Sequence, residues 1–450
     1  EQQDSIEQTI LYTKEMLRDI PTKGLGFSAL AQQNVLTGDL PSLSFNYLGQ
    51  LSSGKETLWQ INGTDVGELV PRENRGHLAL NINGMVKNGQ LFFHVISQLV
   101  PEQTLQFMQS FKMSVNAVVQ QSVSKAEQGG LKTPSDFGVP ALSIDDALRL
   151  QDSHEVEAIY PANSLQQGFI YHHISQPDDD AYQVQTLLDY HHDIDIERFK
   201  QAWLLTAQRF PVMRLCFDWE SEPVQVITRK VAIDEHFLVA DISHLAEDEK
   251  AQAIETIQQA DREKGFALTE PGLWRVTLIK YSKAHFILLK NEHHAIGDGW
   301  SQPVLFGAVH AFYNQLAEGQ APEAGADTAY LATQQYHLEH KAETEAYWSE
   351  RRGRYPAAND LSVMLSHKVD LAQIKEVNDP AETEVTIDGA AYQSLKAMCQ
   401  HEGITLNVAA QFAWHKLIQS YSADTETLVG TTVSGRDVPV EGVEGSVGLY

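Results

Sequence analysis

The stretch that decides the interpretation of this chain is Asn291-Glu292-His293-His294-Ala295-Ile296-Gly297-Asp298-Gly299-Trp300-Ser301. It follows residues 285–290, a run around Phe286-Ile287-Leu288-Leu289 that predicts a buried strand, so the paired histidines are expected where this strand ends. The two glycines predict a tight turn that brings other groups close to the ring of His294. Asp298 is expected to brace the loop from within. A neutral imidazole at such a strand end can handle one proton near neutral pH, so we place the chemistry here.

Two competing interpretations concern the histidines. The pairs His172-His173 and His191-His192 lack the three spacers followed by Asp-Gly, and we interpret both as ordinary core or surface residues. A metal site could in principle use Glu292 and Asp298 together with the doublet. However, adjacent histidines on a strand point to opposite faces, and the helical i, i+4 ligand pair is absent. The sequence therefore favours no metal at this position.

Composition narrows the class of protein. The chain has 450 residues, of which 42% are hydrophobic, enough for two or three cores of ordinary domain size. Its 60 acidic and 33 basic side chains give a net charge of −27, which opposes binding to nucleic acid or to an anionic membrane. Only two cysteines are present, Cys216 and Cys399, which argues for a reducing compartment. With no long apolar run and no leader-like start, a cytoplasmic location is expected.

Four segments resemble, in order, the motifs of the condensation domains of nonribosomal peptide synthetases, which belong to the superfamily of chloramphenicol-acetyltransferase-like acyltransferases. The loop that begins at His293 resembles their His-His-x-x-x-Asp-Gly signature. The second motif is a looser match, because Phe-Pro replaces the usual His-Glu after Arg209. The remaining motifs are residues 159–172 for the opening motif, 208–217 for the second, and 429–436 with 445–450 for the fifth.

The resemblance implies an α/β chain with the two-lobed chloramphenicol-acetyltransferase-like condensation fold, preceded by a partial lobe of the same fold. Residues 1–125 resemble the last part of an epimerization domain, the homologue that inverts an aminoacyl α-carbon. A breaker-rich linker follows at residues 126–154. The condensation domain is then expected to comprise a first lobe at 155–325 and an incomplete second lobe at 326–450. We therefore expect a fragment that spans an epimerization–condensation junction.

Local patterns predict individual elements in each of these regions. A helix should end before Pro21, because proline cannot continue it. A hairpin is expected to turn at Asn88-Gly89. A buried carboxylate at Asp298 needs a cationic partner. The hairpin covers residues 80–91. The further elements expected are strands at 43–50 and 427–433, helices at 102–125, 343–351, 391–401 and 405–421, and a loop at 317–326.

By resemblance, the reaction is amide formation between two thioesters, each held on the phosphopantetheine arm of a carrier protein, with no cofactor bound directly by this chain. His294 would orient the attacking amine and take its proton, or stabilise the tetrahedral intermediate. His293 is expected to pack and to set the tautomer of its neighbour. Gly299 would leave room for the amine. The expected partners are the upstream and downstream peptidyl carrier proteins and an adjacent adenylation domain.

The residues around the doublet receive more specific expectations. Asp298 should pair with an arginine, in the first place Arg214 and in the second Arg209. Trp300 is expected to be a wall or core residue. The remaining expectations leave alternatives open: Ser434 and Arg436 line the substrate tunnel or form a plain turn, and Asn46 and Tyr47 line the remnant of the epimerization pocket or form a turn pair at a strand end.

The subtype is predicted from neighbouring residues. Trp300-Ser301-Gln302-Pro303 follows the Asp-Gly, whereas epimerization domains usually carry Val-Ser-Trp-Arg, and this difference favours condensation. A preceding epimerization remnant implies a donor that ends in a D residue and an L acceptor. Two alternatives stay open: a fragment that only binds carrier proteins, and another acyltransferase of the superfamily that uses a soluble thioester.

Overall fold

The computed structural model describes residues 5–32, 41–51, 78–87, 89–127, 130–139, 141–177, 179–354, 359 and 382–450. The chain divides into two compact units, Glu1–Ala162 with Cys216–Lys230, and Asn163–Leu215 with Val231–Tyr450. Each unit is considered by itself below. No helix in these described ranges combines the length and the apolar character needed to cross a membrane.

Helices and strands alternate along much of the chain, which confirms the predicted α/β class. The helices are α1 Ile6–Asp19, α2 Phe27–Gln32, α3 Pro101–Glu127, α4 Pro134–Phe137, α5 Ile144–Ser153, α6 Ser164–Ser175, α7 Ile196–Arg209, α8 Ile233–His236, α9 Glu247–Lys264, α10 Ser301–Ala317, α11 Ala329–Arg351, α12 Gly389–Glu402 and α13 Leu406–Ser422. The strands are β1 Leu43–Leu51, β2 Leu80–Lys87, β3 Gln90–Ser97, β4 Val156–Pro161, β5 Gln183–Tyr190, β6 Leu215–Asp218, β7 Val224–Thr228, β8 Phe237–Asp241, β9 Trp274–Ser282 and β10 His285–His293.

The first unit begins with a helix and a small sheet. Ser5 caps α1 and forms a capping box with Gln8, and the helix ends before Pro21 as predicted. Strand β1 pairs in parallel with β2, and β2 pairs antiparallel with β3, so the predicted hairpin is confirmed. The predicted turn residue Asn88 lies outside the described residues. The predicted helix at 102–125 corresponds to α3.

The same unit contains a second sheet with the strand order β4-β7-β6. Helices α4 and α5 pack with this sheet through a cluster of buried side chains that includes Phe137, Leu150 and Ile159. Thr133 caps α4 through a capping box with Asp136. The segment predicted as a linker therefore contains two short helices that pack on this sheet.

The second unit is built on a four-stranded sheet in the order β5-β10-β9-β8, with β10 hydrogen-bonded on both sides. Side chains alternate along β10, so its two faces meet different neighbours. Ile287 and Leu289 pack with Ile254 and Ile257 of α9. On the other face, the Nζ atom of Lys290 lies 5.9 Å from the ring centre of Phe306 of α10. The central position of β10 fixes where the histidine doublet stands.

The second unit also contains three long helices near its C-terminal end. Helices α11 and α12 include the predicted segments 343–351 and 391–401, and α13 matches the predicted segment 405–421 to within one residue at its start. The predicted strand at 427–433 is wrong, because this segment forms no strand. A β-branched run forms a strand only when a neighbour accepts and donates its hydrogen bonds, and here the backbone N–H of Leu428 donates instead to the side chain of Asn359.

Candidate functional site

The doublet stands where its pattern predicts, at the end of a buried strand. His293 is the last residue of β10, and a short 3₁₀ turn over His294–Ile296 follows it. The backbone N–H of His294 donates a hydrogen bond of 2.8 Å to the carbonyl of Tyr182. The backbone of His294 is thereby fixed by a neighbouring segment as well as by its own strand.

A hydrogen bond to the backbone sets the tautomer of His294. Its Nδ1 lies 2.9 Å from the carbonyl oxygen of Gly297, and a carbonyl can only accept. Nδ1 therefore carries the proton and Nε2 carries the lone pair, provided the ring is neutral. The ring of Phe169 lies nearly parallel at a centroid distance of 5.7 Å, and His294 is only partly buried. This arrangement presents Nε2 as a proton acceptor.

The glycine of this hydrogen bond has a role that differs from the predicted one. Gly297 has φ of −167°, an extended conformation open to any residue, so no left-handed turn is required there. The turn is made by the 3₁₀ segment instead. Gly297 contributes its carbonyl, and its position depends on how Asp298 is held.

His293 is a packing residue with a different environment. Its Nδ1 accepts a hydrogen bond of 3.1 Å from the backbone N–H of Ala295. Burial lowers the pKa of His293 to about 4, and repulsion from His173, His294 and His172 acts in the same direction. His293 is therefore neutral at pH 7. The tautomer of His294 is set by Gly297 and not by His293, which corrects the prediction.

Asp298 is held by the start of α10 and by a distant arginine. Its Oδ1 accepts from the backbone N–H of Ser301 at 2.8 Å. Arg436 makes a bidentate contact, with Nη1 2.7 Å from Oδ2 and Nη2 3.2 Å from Oδ1. The side chains of Arg436 and Asp298 are 2% and 10% exposed. Such paired, nearly dry contacts give both strength and a fixed orientation.

This pairing corrects the predicted partners of Asp298. Arg214 is buried, and it donates through Nε to the carbonyl of Ala207 at 3.1 Å, at the C-terminal end of α7. The guanidinium of Arg209 lies 5.5 Å from the ring centre of Phe210. The prediction failed because it considered only the two arginines of the second motif, whereas the fold brings Arg436 to Asp298.

The turn that carries Arg436 is also a packed structure. Gly435 has φ of +69°, and a Cβ there would lie 2.6 Å from Cβ of Tyr450, so both the conformation and the space call for glycine. Arg436 donates through Nη1 to the carbonyl of Ser434 at 3.1 Å. Arg436 is buried and ion-paired, and Ser434 lies in the same turn, while a place for either residue in a tunnel wall stays a prediction.

Ser301 links the same turn region to α10. The Oγ atom of Ser301 accepts from the backbone N–H of Gly448 at 3.0 Å and from Nη2 of Arg436 at 3.1 Å. It also lies 2.8 Å from Oδ1 of Asp298. A Cβ on Gly448 would lie 2.4 Å from Cδ2 of Tyr330, so the chain can approach Ser301 only as glycine. Sequence reasoning missed this contact, although Gly448 belongs to a quoted motif.

A second buried network lies on β10 just before the doublet. The Nζ atom of Lys290 is 2.5 Å from Oε2 of Glu292, and their side chains are 1% and 7% exposed. Gln302 of α10 joins both partners, accepting from Lys290 and donating to Glu292. Burial lowers the pKa of Lys290, against the attraction of Glu292. This network ties β10 to α10 on one side of the loop, as Asp298 and Arg436 do on the other.

That network was not predicted from the sequence. Its signal was the presence of Lys290 and Glu292 two positions apart on a strand, which places both on one face that is otherwise apolar. Both carboxylates of the considered metal set have a cationic partner, Lys290 for Glu292 and Arg436 for Asp298.

Two residues after Asp298 are open to solvent in this chain. A Cβ added at Gly299 would meet no atom within 4 Å. Trp300 is 49% exposed, so it is not a core residue. Both residues lie on the exposed part of the loop that follows the doublet.

Asn46 and Tyr47 lie elsewhere, in the middle of β1 and exposed. Asn46 donates from Nδ2 to Oδ1 of Asn83 at 3.2 Å. A Cβ on Gly84 would lie 3.2 Å from the ring of Tyr47, so the ring covers that glycine. The alternative that the two residues form a turn pair at a strand end is wrong, because β1 runs on to Leu51.

Comparison with known proteins finds one matching family and several large peptide synthases. The family model described as condensation domain matches residues 156–450. N-(5-amino-5-carboxypentanoyl)-L-cysteinyl-D-valine synthase of Amycolatopsis lactamdurans is 38% identical over 296 residues, which are 64% of this chain and 8% of that protein. Bacitracin synthase 1 of Bacillus licheniformis is 26% identical over 465 residues, covering 100% of this chain and 9% of that protein.

Among solved structures, the first condensation domain of the calcium-dependent antibiotic synthetase aligns with a TM-score of 0.47 and 16% identity, over 65% of this chain and 68% of that chain. The chain spans only 8% and 9% of the length of the two curated relatives named above.

Proposed function

Because this chain belongs to the condensation-domain family of nonribosomal peptide synthetases, a family of amide-forming acyltransferases, we propose that it transfers an acyl group between two carrier-bound thioesters to form a peptide bond. The donor is a peptidyl or aminoacyl thioester, and the acceptor is the α-amine of a carrier-bound L-aminoacyl thioester. The observation that carries this proposal is the single imidazole of His294, partly exposed and held with Nδ1 on the carbonyl of Gly297.

His294 acts on the amine as it attacks the thioester carbonyl. The amine nitrogen forms the new C–N bond and the proton it loses goes to Nε2. The C–S bond of the donor thioester breaks, and the departing thiolate takes that proton from Nε2 to become the free thiol of the donor arm. A free α-amine has a pKa of about 7.7–8.0, so an appreciable fraction is already unprotonated at neutral pH. A positioned base then increases the reaction rate by about 10²–10⁴-fold. Positioning of the two tethered substrates supplies much of the remaining rate acceleration.

The fixed loop supports this role. Asp298 is already paired with Arg436, so its carboxylate serves to hold the loop and is not available as the base. His293 is buried and is neutral at pH 7. Gly299 leaves open space on the exposed side of the loop, where the amine can approach. Trp300 stands beside this approach as a wall residue. His294 is thus the group suited to proton transfer.

We further assign the flanking regions by their similarity to this class of synthetase. Residues 1–125 are proposed as the last part of an epimerization domain with Asn46 and Tyr47 in its pocket, 126–154 as a linker, 155–325 as the first condensation lobe and 326–450 as part of the second. This order implies a donor that ends in a D residue. The partners are the carrier proteins on either side, with their phosphopantetheine arms, and an adenylation domain.

The experiment is transfer between two loaded carrier proteins, followed by mass spectrometry of the acceptor. The parent synthetase that contains this chain receives donors ending in D or L residues, and in a parallel reaction a soluble thioester of the same acyl group. The proposal expects an amide on the acceptor carrier with the carrier-bound D donor favoured. Absence of amide, or equal transfer from the soluble thioester, would contradict it. Equal use of the L donor would contradict only the subtype.

A further inference from the structure

Three side chains of metal-binding types converge at the other end of β10 from the doublet. They are Asp189 at the end of β5, His191 just after it, and His285, the first residue of β10. One ligand atom from each lies within 4.8 Å of the others. Strand β10 has nine residues, so this cluster is about 27 Å from His293 at about 3.4 Å per residue. It is separate from the proposed catalytic loop.

The strand register explains why these three residues meet. Strands β5 and β10 are antiparallel, with Tyr190 opposite Phe286. Continuing this register by one residue places His191 opposite His285. Asp189 lies two positions before His191 and therefore on the same face of the sheet. Two directly opposed histidines and a carboxylate on the diagonal thus share one patch of one face.

The side chains already contact one another. Nε2 of His285 is 2.7 Å from Oδ1 of Asp189. The rings of His191 and His285 have their centres 4.7 Å apart at an angle of 36°. The side chains of His285 and Asp189 are 25% and 54% exposed, so a hydrated ion can reach them. Tyr281 lies against His285 with ring centres 4.6 Å apart and donates its hydroxyl to Glu247, which adds a second carboxylate nearby.

We propose that Asp189, His191 and His285 form a binding site for a divalent transition-metal ion, with Zn²⁺ as the best fit. Two imidazoles and one carboxylate are ligands that zinc accepts, at about 2.0–2.2 Å, with water in the fourth position. Binding separates the present contact between His285 and Asp189, inserts the ion between them and requires neutral rings. Rotation of the exposed side chains brings the three ligand atoms, now up to 4.8 Å apart, to the distances that a bound ion requires.

The role that fits this location is structural. The ion would join the end of β5 to the start of β10, the two strands whose pairing carries the doublet. A metal that binds only the folded chain raises its stability in proportion to the logarithm of the metal concentration over the dissociation constant. His191, interpreted from sequence as an ordinary residue, would then be a ligand.

The test is a titration of the tag-free, chelator-treated chain with Zn²⁺ alone, followed by thermal unfolding and calorimetry. We expect a rise in melting temperature of at least about 2–4 °C at saturation. Co²⁺ in place of Zn²⁺ should give visible absorption bands. Asp189→Asn and His285→Asn should each weaken the affinity at least about 10–100-fold.

Two matched variants complete the design. His401→Asn removes an exposed histidine that also contacts a carboxylate, that of Glu402, and should bind Zn²⁺ like the parent. Asp189→Asn keeps a side chain that can still hydrogen-bond His285, so it guards against loss of folding. No rise in melting temperature for the parent, or the same rise in the Asp189 and His285 variants, overturns the proposal.

Discussion

Asp298 and Arg436 stand 138 positions apart in the chain and form a buried ion pair, with Nη1 to Oδ2 at 2.7 Å. The pair connects the loop after the histidine doublet to the turn at Gly435. Removing water from two charges costs several kcal/mol per ion, which only close geometry and added hydrogen bonds offset. The pair is therefore a requirement for the shape of the loop more than a source of stability.

Loss of one partner of this pair should be costly. We expect Asp298→Asn and Arg436→Met each to lower the free energy of unfolding by about 3–5 kcal/mol, because each leaves the other partner buried without its counter-charge. Denaturant unfolding of the variants measures this change. Asp195→Asn, which removes an exposed pair with Arg198, should cost less than about 1 kcal/mol. Similar losses at the two sites would show that the Asp298 pair is not buried in solution.

The network of Lys290 and Glu292 gives a second prediction. Lys290→Met leaves the Glu292 carboxylate buried without its cation and should destabilise the chain by about 3–5 kcal/mol. Lys290→Met combined with Glu292→Gln removes both charges and should recover most of this loss. Thermal unfolding of the single and double variants measures the coupling between them. A double variant as unstable as the sum of the two single variants would argue against a direct ion pair.

The position of the histidine doublet at a strand end was predictable from sequence, and the partner of Asp298, which is distant along the chain, was not. An apolar run followed by His293 and His294 identifies a strand end, because alternation and turn residues act over a few positions. The partner of Asp298 depends on which arginine the fold brings near, and spacing along the chain does not carry that information. Lys290 was missed for a related reason: a strand position that is charged in sequence becomes core only when α10 covers it.

The depressed pKa of His293 gives a prediction about pH. Its folded-state pKa is about 4 against an ordinary value of 6.5, so between these values the unfolded chain binds the proton more readily. The contribution of His293 to the free energy of unfolding is therefore complete above pH 6.5. It decreases by up to about 3 kcal/mol as the pH falls toward 4. His293→Asn should flatten this part of the curve of unfolding free energy against pH. His401→Asn should leave the curve unchanged, and an unchanged curve for His293→Asn would show that His293 is not buried as described.

The most direct test of the central claim is the rate of amide formation by His294→Ala in the parent synthetase, with both carriers loaded and saturating. If Nε2 of His294 accepts the proton of the amine, the rate falls by about 10²–10⁴-fold while the melting temperature and the loading of both carriers stay unchanged. His172→Ala, which removes a histidine of α6, should keep a rate within a few-fold of the parent. A His294→Ala variant that forms the amide at the parental rate would contradict the account.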